Sequence, residues 1–392
     1  MRLKRKTRAR EASGIVPGPL RVLIVPDKFK GTLAAADVCG AIAKGWKSVR
    51  AGDWLEGLPM SDGGDGFGGV LGRLLKAQLR SVRTLDAAHE PIRAHWWWVA
   101  SQELAIIEAA RVIGLAMLPP KKFHPFHLDT FGLGRVLRAA ANAGAGKCVI
   151  GIGGSATNDG GFGLARALGW KFRDQSGRPL EQWSRLRELA SVEPSSERWR
   201  MDITVAVDVG NPLLGPRGCT RVYGPQKGIK PEDVLHAEKC LRRLKTVVEQ
   251  TLNLEWARTP GAGAAGGLGF GLMAFAGAKP QSGFEVFSSA ARLEERMRQC
   301  DLVITGEGAV DRQTGMGKGV GQVVRLSQRL KIPCITLAGA VAAGIRTGRR
   351  FSQTFALTDI TSLDEAKTRP DYHLARLSAL TAGSLDTTAV AS

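Results

Sequence analysis

Carboxylates recur beside glycine along this chain. Asp62 and Asp65 lie in SDGGDG, Asp159 in TNDGG, Asp208 in VDVGNPLLG, and Glu307 and Asp311 in GEGAVDRQ. A carboxylate flanked by glycine meets little side-chain obstruction, so it can hold Mg²⁺ or accept the proton of an attacking hydroxyl. Lysines sit in loops of the same kind: Lys30 in DKFKG, Lys227 in GPQKG and Lys318 in MGKG. Each reads equally well as an ordinary solvated loop residue. As a set with the acidic loops they suit an anionic substrate and a phosphoryl group in transfer.

One glycine cluster asks for its own explanation. GIGGSATNDGG, residues 151–161, follows the apolar run Cys148–Ile150 and leads into a helical pattern. Backbone N–H groups at Gly153 and Gly154, donors at Ser155 and Asn158, and the positive end of a following helix would make an anion cradle. The competing reading is a tight strand-to-helix crossing that needs glycine for packing alone. Gly261–Gly266, GAGAAG, fits a dinucleotide fingerprint in letters, but no buried strand precedes it and Pro260 is adjacent, so NAD binding is not expected. The phosphate-loop pattern G-x-x-x-x-G-K-[ST] is absent from the sequence.

The elements that must position these loops read as α/β. LRVLIVP (20–26) is a buried strand, and Thr32 is placed to cap a helix over 33–49. A strand over 54–59 and a helix over 67–75 complete β-α-β-α, the signature of a parallel sheet with helices on its faces. The far end repeats the pattern, with strands over 301–305, 332–337 and 351–357 and a helix over 320–330. In open α/β sheets ligands bind beyond the carboxyl ends of strands, where the loops after Pro26, Pro59 and Thr305 fall. The middle contains a hairpin of 92–100 with 104–108, whose Trp96–Trp98 triplet reads as a packing face. It also contains a strand over 203–207 and a long helix over 233–252. The expectation is a Rossmann-like parallel domain from residues 20–84 and 291–382, with a mixed α/β domain over 85–290 inserted. Residues 1–19 read as a basic disordered tail, and the last ten residues as frayed.

Composition excludes several classes. At 392 residues, 44% hydrophobic and 23% charged, the chain is of globular type and long enough for two cores. The net charge of +19 comes in part from MRLKRKTRAR at the start, with no apolar segment of a secretory signal behind it. No basic stripe with interleaved aromatics points to nucleic acid, and no run of 18 apolar residues points to a membrane span. Six widely spaced cysteines without C-x-x-C read as buried thiols of a cytoplasmic protein. His124 and His127 read as loop histidines and not as a zinc site.

Taken together and in order, PDKFKG, MSDGGDG, GIGGSATNDGG, VDVGNPLLG with GPQKG, GAGAAGGLGFGL and TGEGAVDRQT resemble the motifs of the bacterial type-1 glycerate kinases over roughly residues 21–360. The resemblance implies ATP-dependent phosphorylation of glycerate and a two-domain α/β architecture. It carries onto Asp27 and Lys30, Asp62 through Asp65 with Gly63 and Gly64, Gly153 to Asp159, Asp208 with Asn211, and Glu307 and Asp311. Within that frame Asp208 is the expected base. Asp62, Asp65 and Asp311 are expected to organise Mg²⁺, the 153–158 loop to hold phosphate, and Lys30, Lys227 and Lys318 to meet anionic groups. D-glycerate is the expected acceptor, with 2-phosphoglycerate favoured over 3-phosphoglycerate, and a homodimer is compatible. The alternatives are a kinase of a related small hydroxy acid and a non-catalytic sensor of a phosphorylated metabolite. Three departures stand out: Lys28 where the family commonly has Ser, Gly210 where it commonly has Thr, and IEAA at 107–110 where it reads near IEMA.

Overall fold

The computed structural model describes residues 18–196, 200–311, 319–342, 344 and 353–388. The chain forms two compact units: a terminal unit from both chain ends, up to Pro59 and from Glu294, and an inserted unit over Met60–Leu293. The division therefore falls at Pro59 and not at residue 84, which puts MSDGGDG and the elements behind it in the inserted unit.

The terminal unit begins with β1 (Arg21–Pro26), α1 (Ala35–Val49) and β2 (Trp54–Gly57). The helix starts two residues later than expected. Thr32 does not cap it, since its hydroxyl donates to the Phe29 carbonyl instead. The inserted unit follows with α2 (Phe67–Leu74), β3 (Gln78–Leu85), β4 (Pro91–Val99), β5 (Leu104–Glu108), the short α3 (Ala110–Ile113), α4 (Phe131–Asn142) and β6 (Lys147–Gly151). Next come α5 (Phe162–Ala167), the hairpin strands β7 (Lys171–Asp174) and β8 (Leu189–Glu193), β9 (Asp202–Ala206), α6 (Cys219–Tyr223), α7 (Pro231–Leu252) and α8 (Ala264–Ala276). This unit closes with β10 (Lys279–Gln281) and α9 (Gly283–Ala291). The terminal unit resumes with α10 (Leu293–Met297), β11 (Leu302–Val310), α11 (Gly319–Leu330), β12 (Cys334–Val341), β13 (Gln353–Ala356), α12 (Leu363–Thr368) and α13 (Pro370–Thr388). The expected frayed end is helical as far as Thr388; residues 389–392 and the basic stretch 1–17 lie outside the described residues.

The terminal unit's sheet runs β13-β12-β11-β1-β2, every neighbouring pair parallel. Its core joins Val22 and Ile24 of β1 and Ile304 and Leu337 of neighbouring strands to Val38, Ile42 and Trp46 of α1 and Leu374 and Leu377 of α13. β1 and the first halves of β11 and β12 are near-continuous buried runs, as strands covered on both faces must be, whereas the edge strand β2 is largely exposed.

The inserted unit's sheet runs β10-β9-β6-β5-β4-β3. β10, β9, β6 and β5 are parallel; β4 and β3 are antiparallel additions at one edge. Register places Glu108, Gly151, Ala206 and Gln281 in one row across the four parallel strands. The loops that leave this row form one rim of the sheet. Trp97 lies under α2, so close that a methyl group on Gly68 or Gly72 would meet its ring at 1.9 or 2.3 Å. The tryptophan thereby sets the height of α2, and with it the SDGGDG loop at the helix start.

Candidate active site

Five chain segments converge on the carboxyl-end rim of the inserted sheet. Glu108, the last residue of β5, is buried and accepts from the backbone N–H groups of Gly66 (2.8 Å) and Gly68 (3.0 Å). A carboxylate there satisfies orphan donors of α2 and complements its dipole. The same bonds pin the end of SDGGDG. That loop crosses the strand ends: Gly63 accepts from the Gly153 N–H at 3.0 Å, and a Cβ on Gly63 would meet the Ala206 carbonyl at 2.8 Å. Gly63 has φ of +101°, so glycine is required on both counts. A Cβ on Gly154 would strike the Asp65 carboxylate at 2.2 Å.

Asp208 lies two residues beyond β9. Its Oδ1 accepts from the Ser282 hydroxyl at 2.8 Å, and Ser282 follows β10 directly and caps α9. Its Oδ2 is buried and has no hydrogen-bond partner of normal geometry among the described residues. Burial pushes the Asp208 carboxyl up to about 6, and the charge of Asp62 adds to this against the Ser282 hydroxyl and the N–H groups of Gly283 and Phe284. A carboxylate at that pKa, with one oxygen held by Ser282 and the other lacking a partner of normal geometry among the described residues, is fitted to take a proton near neutral pH.

The GIGGSATNDGG loop is largely turned inward. Gly153 and Gly154 reach the surface, while 155–161 are buried. The Ala156 N–H donates to Ile113 O, Gly160 N–H to Gly266 O and Gly161 N–H to Asp159. The expected helix dipole is not presented to a ligand either. α5 has six residues, and its first-turn N–H groups at Gly163 and Leu164 are satisfied by Asp159 and the Thr130 hydroxyl. Asp159 is fully buried and also accepts from the Thr130 N–H (3.0 Å) and hydroxyl (2.7 Å). Burial, with Asp129 nearby, pushes its carboxyl up to about 6 against the donors at Gly163 and Thr130. It ties this loop to the start of α4.

Lys227 is buried as well, its ammonium donating to Ser155 Oγ (3.1 Å) and the Thr157 carbonyl (2.6 Å). Burial pulls its pKa down to about 8. Asn158 donates to the Thr220 hydroxyl at 3.0 Å. The Asn158 Oδ1 and Thr157 Oγ1 atoms are buried without partners among the described residues. Asn211 donates to Arg217 O and accepts from Tyr223 Oη, which braces the VDVGNPLLG loop from within.

In the terminal unit Asp27 and Lys30 follow β1, whereas Glu307 lies inside β11 paired with Ala338, since this strand runs on to Val310 instead of ending at 305 as expected. Asp27 N–H donates to Gly306 O and the Lys28 N–H to Asp27 Oδ1. Gly308 lies against Phe29 and Lys30. Lys30 and Asp311 are exposed, and Lys318 lies outside the described residues. A groove of about 290 Å³ in this unit, lined by Arg21, Trp54, Glu56 and Arg296, opens at the amino ends of β1 and β2, the opposite end from ligand sites of such sheets.

Residues 22–385 match the model of the glycerate kinase family. The chain belongs to the glycerate kinase family. It is 35% identical over 357 residues to a glycerate kinase of Halalkalibacterium halodurans, covering 89% of this chain and 94% of that one. It is 35% identical over 354 residues to a glycerate 2-kinase of Escherichia coli, covering 88% and 93%. The crystal structure of a Salmonella typhimurium LT2 protein designated glycerate kinase 2 superimposes with a TM-score of 0.79 at 32% identity, over 94% of this chain and 99% of that one. The protein is accordingly a kinase that transfers phosphate from ATP to an alcohol group of a small molecule.

Within this glycerate kinase fold the inserted unit gathers Asp62, Gly63, Gly64, Asp65, Gly153, Gly154 and Asp208 on one rim. Ser155, Asn158, Asp159, Asn211 and Lys227 lie beneath or beside it with structural partners of their own. Two residues on the rim escape a reading from sequence, Glu108 and Ser282. Ser282-Gly-Phe-Glu285 does carry the S-x-x-E signature of a helix start, which could have pointed to the second. No helix among the described residues is long and apolar enough to cross a membrane.

Proposed function

We propose that the protein is an ATP-dependent D-glycerate kinase that phosphorylates the 2-hydroxyl. The buried Oδ2 of Asp208 at the strand-end rim, without a hydrogen-bond partner of normal geometry among the described residues, carries this reading. The substrate hydroxyl gives its proton to Oδ2 while its oxygen forms a bond to the γ-phosphorus. The bond from that phosphorus to the bridging oxygen breaks, and ADP leaves with the electron pair. Asp62 and Asp65 are proposed to serve Mg²⁺. Among the described residues no three acidic, histidine or cysteine side chains form a ready-made metal cage. This suits an ion held by one or two carboxylates and substrate phosphates. The ion would neutralise phosphate charge. Gly153 and Gly154 are proposed to approach phosphate, with Asp27, Lys30, Glu307, Asp311 and Lys318 as further ligand-binding candidates on residue type alone. The name of the Escherichia coli relative supports the 2-position. An ATP-dependent role and the buried cysteine thiols support a cytoplasmic location.

The test is ³¹P NMR of purified protein with Mg-ATP and D-glycerate. A new phosphomonoester doublet, from coupling to the single C2 proton, is expected. A triplet from a CH₂ group would move the product to 3-phosphoglycerate. Intact ATP and no new signal with folded protein would reject glycerate as acceptor.

A further inference from the structure

We infer that Ser282 is a positioning residue for the transfer, holding the plane of the Asp208 carboxylate that accepts the substrate proton. The inference rests on the reading of Asp208 as the base. A serine hydroxyl has one proton to donate and two lone pairs. As the cap of α9, Ser282 Oγ accepts from the Glu285 N–H at 3.4 Å. Its one proton goes to Asp208 Oδ1 at 2.8 Å. The two roles lock the hydroxyl, because the helix start fixes its position and the carboxylate fixes its hydrogen. Oδ1 is then an obligatory acceptor. With one lone pair of Oδ1 taken by Ser282, a proton arriving on this carboxyl is favoured on Oδ2, which has no hydrogen-bond partner of normal geometry among the described residues.

The surroundings hold that orientation. Gly283 follows Ser282, and a Cβ there would meet Asp62 O at 2.0 Å and Asp208 Oδ2 at 2.7 Å. The start of α9 thus lies against both acidic loops with no room for a side chain, and Oδ2 faces this glycine. The two oxygens of a carboxylate are equivalent, so a half-turn restores the same arrangement, whereas a partial rotation breaks the Ser282 bond. The hydroxyl therefore holds the plane of the carboxylate, which is a positioning function in the sense of holding a reacting atom in place.

Ser282→Gly separates this function from capping. Glycine is a competent N-cap, so the helix should lose little, but the hydroxyl is gone. The expected result is a kcat lower by about 10–100-fold, with KM for glycerate and for ATP within about threefold and a thermal midpoint lowered only by the loss of one hydrogen bond. Ser282→Thr, which keeps the hydroxyl, should recover kcat to within about fivefold of the parent. In an Asp208→Asn background, Ser282→Gly should cause no further loss, since both act through one carboxylate. An unchanged kcat in Ser282→Gly would overturn the inference. So would a failure of Ser282→Thr to recover activity, or an equal loss from Ser282→Gly with and without Asp208. If Asp208→Asn alone keeps the parental kcat, it is the base reading that fails, and that result is distinct from the others.

Discussion

Lys227 is an ammonium group enclosed by protein, with a serine hydroxyl and a backbone carbonyl as its hydrogen-bond acceptors. Desolvation therefore outweighs its favourable contacts, and its pKa falls to about 8 from 10.5. Between those values the unfolded chain binds the proton that the folded one has released. Stability attributable to this residue should thus rise as pH increases from about 8 to 10.5, by an amount on the order of 3 kcal/mol. Urea melts of the parent and of Lys227→Met across that range check it: the parent should gain relative to the variant as pH rises. A constant difference would mean that the ammonium is better solvated than its burial implies. Single residues were legible in sequence where type and neighbours suffice, as for Asp208 placed just after a strand. Asp159 shows the limit. TNDGG has the same letters as a ligand loop, yet its carboxylate caps a short helix and joins Thr130, 29 positions away. Glu108 and Ser282 depend on contacts 42 and 74 positions distant, and no local pattern encodes those distances.

At the scale of elements, two glycine-rich stretches explain each other. α8 carries left-handed backbone at Ala265, Gly266 and Gly267, and lies directly on the GIGGSATNDGG loop. A Cβ on Gly266 would sit 2.0 Å from the Thr157 carbonyl, and one on Gly161 would sit 2.6 Å from Gly271 Cα. Backbone meets backbone there, so the GAGAAG letters serve close packing. The inner part of GIGGSATNDGG does the same, and Gly153 and Gly154 alone in that loop keep the surface that an anion would need. Gly266→Ala should destabilise the protein by about 3 kcal/mol or more, since it combines a positive φ with overlap against immobile backbone. Gly210→Ala, at a position with nothing within 4 Å of its Cβ and no positive φ, should stay within about 0.5 kcal/mol. Denaturant midpoints at constant slope would check the pair. Comparable losses at both sites would contradict the packing argument. The long apolar-patterned elements were legible because period and burial coincide, as in β1 and α7. β10 was not, since KPQ at 279–281 is a three-residue exposed strand with no apolar signal, although it delivers Ser282 to the rim.

At the scale of the whole molecule, the two units and the parallel sheets follow from alternating strand and helix patterns, but the point of division does not. β3 reads QLRSVRTL, with most of its residues exposed, and it pairs with β4 over its full length. An edge strand of that composition carries almost no burial pattern, so its membership of the inserted sheet is decided by a partner beyond the next turn. Charge is a property of the same scale and is fully legible. The chain has 55 Lys and Arg against 36 Asp and Glu, a net charge of +19, and both ATP and glycerate are anions. A cationic protein draws anions from a distance set by the Debye length, about 10 Å at 0.1 M salt. The rim carboxylates at Asp62, Asp65 and Asp208 oppose that attraction locally, so capture must come from the wider surface, where screening is strongest. Raising KCl from about 20 to 300 mM should therefore raise KM for both substrates several-fold while kcat changes less than about twofold, because atoms already in van der Waals contact are poorly screened. Steady-state kinetics at fixed Mg²⁺ and pH would show it. A KM independent of salt would place the surplus charge outside the path of the substrates, and the arginine-rich composition would then bear on solubility and not on catalysis.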